Sequence, residues 1–112
     1  MHFATHILNG ITFVTPDAAR LDASTAPALR EMLVGCLDAG AQSVVLDLTG
    51  VTFLDSSALG ALIAAAKRAG RNGPFAVCGV QPAVARLFAL THMDRVFTVH
   101  PSKAEALARS TA

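Results

Sequence analysis

Ser43-Val44-Val45-Leu46-Asp47-Leu48 is an unbroken β-branched and leucine run, and Thr49-Gly50 and Val51 to Leu54 link it to Asp55-Ser56-Ser57-Ala58-Leu59-Gly60 and an alanine-rich helical stretch. A run apolar at successive positions, without alternation, fits a strand covered on both faces, so it belongs at the centre of a sheet. Outward from it, apolar runs of strand length alternate with helical patterns, which predicts an α/β layered domain. Upstream, Ile7 and Leu8, Asn9-Gly10, and Ile11 to Thr15 read as two short strands joined by the strongest two-residue hairpin signal, an antiparallel edge. Ser24 or Thr25 is positioned to cap a first helix that tolerates Pro27 in its first turn. Its Leu29, Leu33, Cys36 and Leu37 recur at helical spacing until Gly40.

Downstream, the alanine-rich helix ends near Gly70 and Gly73-Pro74, and Phe75 to Gly79 reads as the next buried strand. Pro82 suits a first helical turn, with Val84, Leu87 and Phe88 as its apolar stripe. Val96 to Val99 reads as a last short strand. Ser102-Lys103-Ala104-Glu105 is a capping-box pattern that opens a final helix with Leu107 facing inward.

With 112 residues, 53% apolar and 15% charged, the chain is sized for one domain with one core. Its low charge and positive mean hydropathy argue against disorder. The longest unbroken apolar stretch, Ala58 to Ala66, is about half a bilayer span, so no membrane insertion is expected. A net charge of +1, no lysine or arginine run, and no tryptophan or tyrosine give no footprint of direct nucleic-acid or membrane-surface binding. Met1 to Gly10 lacks a basic start followed by an apolar block, and Cys36 and Cys78 sit far apart in apolar surroundings, so a reduced, cytoplasmic setting is expected. His2, His6, His92 and His100 with the two cysteines offer no four-ligand spacing. The close pair His2 and His6 lies in a segment expected to fray, and no metal is expected.

There is no Gly-x-x-x-x-Gly-Lys loop, no Gly-x-Gly-x-x-Gly and no Gly-x-Ser-x-Gly, so catalysis by those routes is unsupported and no cofactor is expected. Asp47, near a strand end, lacks the acidic pair and late-strand lysine of a phospho-accepting receiver and reads as structural. On the helix after Asp55, Leu59, Leu62, Ile63 and Ala66 fall in one arc and are expected on the sheet. Ser57, Ala61, Ala64 and Arg68 fall opposite, a lane of methyl groups headed by a serine. Short side chains there suit a protein-docking face, although high helix propensity alone also accounts for alanine. Ser56 and Ser57 read either as caps or as one cap plus one hydroxyl, Ser57, left free on the lane. A phosphate there would meet free N–H groups and the positive helix end, and would act on whatever covers the lane.

Leu21-Asp22, Val44 to Leu48, Asp55-Ser56-Ser57-Ala58-Leu59-Gly60-Ala61-Leu62 and Asp94-Arg95-Val96-Phe97, in this order and spacing, resemble the STAS domain family, in particular bacterial anti-sigma factor antagonists. The resemblance runs from about Gly10 to Leu107. It implies a single α/β domain over residues 1–112, with a mixed, mostly parallel sheet of four to five strands and about four helices packed on it. It also implies a partner switch: the unphosphorylated protein binds an anti-sigma factor serine kinase and frees a sigma factor. Phosphorylation of the second serine of Asp-Ser-Ser, here Ser57, reverses this, and a serine phosphatase resets it. Such a protein is a substrate, not an enzyme.

The lane and the resemblance together give an expected docking surface of Asp22, Asp55, Ser56, Ser57, Ala58, Ala61, Ala64 and Arg68, with Asp22 alternatively a helix-entry cap. The chain departs from the family pattern at Ala58, where glycine is usual and alanine stiffens the helix start by up to roughly 1 kcal/mol. It departs again at Ala19, where a turn glycine commonly precedes Leu-Asp. Two other readings stand beside the switch. One is a STAS subunit docked permanently on the ATPase of an ABC-type lipid transporter, and the other is nucleotide binding by the loop before the helix.

Overall fold

The computed structural model describes residues 2–70 and 73–110; the limits of the expected 1–112 domain lie just outside them. Strands β1 (Phe3–Leu8), β2 (Ile11–Pro16), β4 (Ser43–Asp47), β6 (Phe75–Cys78) and β7 (Thr98–His100) form a five-stranded sheet in the order β1-β2-β4-β6-β7. β1 is antiparallel to β2, and every other pairing is parallel. The mixed, mostly parallel sheet thus has the expected central strand in its middle. β3 (Arg20–Leu21) and β5 (Phe53–Leu54) add a separate parallel pair, in segments whose sequence pattern predicts no strand. The helices are α1 (Ala26–Asp38), α2 (Ser56–Ala69), α3 (Pro82–Thr91) and α4 (Lys103–Ser110).

Alternation along the strands sorts the core into two layers. Val14, Val44, Leu46, Phe75 and Val77 point to the face carrying α1, α2 and α3, while Ile11, Phe13, Val45, Ala76 and Cys78 meet Ala106 of α4. Val44, Val45 and Leu46 are therefore apolar in succession because both faces of the central strand are covered. Phe75, Phe88 and Phe97 close one end of the larger core with edge-to-face contacts at 5.7 and 5.4 Å between centroids. Asn9 and Gly10 both take positive φ, 52° and 81°, as the hairpin turn requires.

Several expectations shift in position. β1 begins at Phe3, and His6 pairs in register with Phe13 and stacks on its ring, so the segment carrying it is an integral edge strand. The last strand starts at Thr98, because a 3-10 turn over Met93–Arg95 precedes it and Phe97 drops into the core. Of the capping box on α4 the serine half forms, the Glu105 N–H donating to the Ser102 hydroxyl at 3.1 Å. Among the described side chains of that helix, though, Ala106 is the buried one, and Leu107 packs only partly against the sheet. Thr25 holds the N-cap position of α1 without a side-chain cap. Pro27 has no N–H to satisfy there, and the Ala26 N–H goes to the Asp22 carbonyl at 2.8 Å.

Candidate functional site

β3 and β5 run parallel with Leu21 opposite Leu54, and the Asp55 N–H reaches the Leu21 carbonyl at 3.1 Å. Asp22 and Asp55 therefore leave equivalent ends of two adjacent strands, and each precedes a helix, α1 and α2. The two helices run side by side in the same direction, with Asp38 of α1 and Arg68 of α2 paired at their far ends. Along the seam between them lies an open groove of about 800 Å³, lined by α1 from Ala26 past Arg30 and Val34 to Asp38, and by Ser57, Gly60 and Ala61 near the start of α2.

The Asp55 carboxylate accepts the Ala58 N–H at 3.0 Å and caps α2. The Leu59 N–H bonds the Asp55 carbonyl, so of the first-turn donors only those of Ser56 and Ser57 remain outside these bonds. Neither serine is the cap. Both are exposed, and the Ser57 hydroxyl makes no hydrogen bond among the described residues. Asp22 accepts from the Ser24 N–H at 3.0 Å and the Ser24 hydroxyl at 2.6 Å, which builds the entry turn of α1. Those two bonds, the hydroxyl's first, hold its carboxyl below the ordinary carboxylate range, with Arg20 adding a smaller push.

The methyl lane needs correction. Ala58 and Ala61 are 0% and 4% exposed, so Ala58 has no free surface to offer a partner and Ala61 only a sliver on the floor of the groove. The buried set on α2 is Ala58, Leu59, Ala61, Leu62 and Ala65, while Ile63 and Ala66 are only partly covered. A helical projection with one buried arc assumes one neighbour, whereas α2 has two, the sheet and α1, and α1 packs on part of the lane. Ser57 and Arg68 remain exposed and Ala64 half-buried. Ala58 puts its methyl group in the core, away from the Ser57 hydroxyl. Ala19 has no left-handed φ, and its carbonyl receives the Thr52 and Phe53 N–H groups at 2.8 and 3.2 Å, so neither site needs glycine here.

Asp47 accepts from the Thr49 N–H and hydroxyl at 3.0 and 2.6 Å, closing the turn after β4, the structural part expected of it. Among the described residues no group of three or more His, Cys, Asp or Glu side chains is placed to hold a metal, and no helix is long and apolar enough to cross a membrane.

A chain with this sheet order and this helix start matches the family described as STAS domain, over residues 2–106. The protein belongs to that family. It is 31% identical over 81 residues to an anti-sigma-B factor antagonist of Staphylococcus epidermidis, covering 71% of this chain and 75% of the relative. An anti-sigma factor antagonist from Mycobacterium paratuberculosis superposes with a TM-score of 0.88 at 28% identity, over 99% of this chain and 94% of that one. The Bacillus cell fate determinant SpoIIAA in its phosphorylated form shares the fold at 15% identity, with a TM-score of 0.70 over 96% of this chain and 98% of that one.

Proposed function

We propose that this protein is an anti-sigma factor antagonist that works as a phosphorylation-controlled partner switch with Ser57 as the acceptor. In this reading the unphosphorylated protein occupies a serine-kinase anti-sigma factor in the cytoplasm and frees a sigma factor. The kinase transfers the γ-phosphoryl of ATP to Ser57 Oγ, releasing ADP and the hydroxyl proton. A phosphatase returns the serine by hydrolysis to inorganic phosphate.

The observation that carries the reading is the division of labour at the start of α2. Asp55 caps the helix, so the exposed Ser57 hydroxyl, free of any structural bond, is available beside the groove. The likeness to anti-sigma factor antagonists supports the partner class. The added group brings about −1.5 to −2 charges to a surface that a partner must cover dry.

The test is phosphorylation of the purified protein by an anti-sigma factor kinase, with the modified residue located by mass spectrometry. A phosphoryl group on Ser57, and none on Ser57→Ala, is expected. Modification at Ser56 or elsewhere with Ser57 untouched would overturn the assignment.

A further inference from the structure

A phosphate on Ser57 would enter a crowded neighbourhood of carboxylates. Asp55 already sits on the Ala58 amide within the same turn, Asp22 starts the adjacent helix, and Glu31 lines the groove. The helix end alone is a poor counter-charge there, since Asp55 has taken one of its donors. Any further counter-charge from the protein would come from a side chain, and among the described residues lining the groove Arg30 alone is cationic.

Arg68 is committed to Asp38. Arg30 is not: it is exposed, lines the same groove as Ser57, and enters no ion pair or side-chain hydrogen bond among the described residues. α1 and α2 are parallel and pair Asp38 with Arg68, each twelve residues past the first residue of its helix, so Arg30 stands level with Gly60, about one helical turn along from Ser57. Helical side chains lean toward their own N-terminus, so Arg30 leans toward the level of Ser57. Gly60 leaves the groove open at that level, since a Cβ built on it would meet no side chain and no other element within 4 Å.

We propose that Arg30 is the built-in receptor for the phosphate, reaching across the groove over Gly60 to pair with phosphorylated Ser57. The inference rests on Ser57 being the acceptor. Arginine suits the task because its planar fork gives two parallel hydrogen bonds to phosphate oxygens. The modification would then do two things at once: add charge to the docking surface, and fold a guanidinium over the apolar groove floor that a partner would otherwise meet.

The test uses the full chain with phosphoserine incorporated at position 57 by genetic encoding, so its outcome does not depend on any kinase. The second ionisation of the phosphate, about pH 6 for an unperturbed phosphoserine, is followed by phosphorus NMR. Arg30→Gln is expected to raise the midpoint by roughly half a unit, and Arg30→Lys to raise it less. Arg86→Gln, on the exposed face of α3, controls for net charge and should leave it unchanged. Equal midpoints for the parent and Arg30→Gln, or an equal rise in Arg86→Gln, would overturn the pairing. Failure of the kinase to modify Ser57 would instead count against the acceptor assignment.

Discussion

With the Asp55 carboxylate on the Ala58 amide, the two serines that follow carry no structural load, and their substitutions should separate cleanly. Asp55→Ala is expected to cost about 1 kcal/mol, roughly 4 °C in thermal midpoint for a domain of this size. Ser56→Ala and Ser57→Ala should each stay within about 0.5 kcal/mol of the parent in urea titrations. A large loss in Ser57→Ala would mean that the hydroxyl is structural after all. Cys78 offers a pH test of the second core layer. Burial, with the nearby Asp47 carboxylate adding to it, pushes its thiol from 9.0 to about 12. The folded pKa lies above the unfolded one, so this stabilisation is complete below about pH 9 and drains away as pH rises toward about 12. Cys78→Ala should be less stable at neutral pH and should lose less further stability between those limits. Equal alkaline slopes for the two proteins would contradict the assigned burial.

At the level of elements, what could be read from the chain depended on how many neighbours an element has. The central run Ser43 to Leu48 and the Asn9-Gly10 turn were legible because local chemistry decides them: continuous apolarity for one, two positive φ angles for the other. The lane on α2 was half legible. Its serine head emerged exposed, but Ala61 is covered, and nothing in the spacing of α2 itself encodes where α1 will lie. Likewise β3 and β5, two residues each, are too short to carry a period and exist only because the two loops meet. Their pairing is nevertheless what brings Asp22 beside Asp55. The turn after β6 tests how tightly these connections fit. Gly79 has φ +70°, and a Cβ there would lie 2.2 Å from the Thr49 hydroxyl that Asp47 holds. Gly79→Ala is therefore expected to cost more than about 1 kcal/mol, against a near-neutral Gly50→Ala, where a Cβ meets nothing. Comparable urea midpoints for the two variants would show that the connection yields.

For the molecule as a whole, the parallel strands deliver two helices side by side and aim their starts at one surface, where Ser57 and the groove share an edge. In the proposed switch that surface exchanges partners without refolding, since the Ser57 hydroxyl is already outside and the helix it heads is capped by Asp55. A hundredfold change in partner affinity needs only about 2.8 kcal/mol, within reach of one phosphate desolvated or unpaired at a covered site. The most direct measurement is the affinity of an anti-sigma factor serine kinase for the parent, the Ser57-phosphorylated protein and Ser57→Ala. Tight binding by the parent and Ser57→Ala, with a loss of about a hundredfold or more on phosphorylation, is the predicted result; equal affinities for all three would contradict the switch.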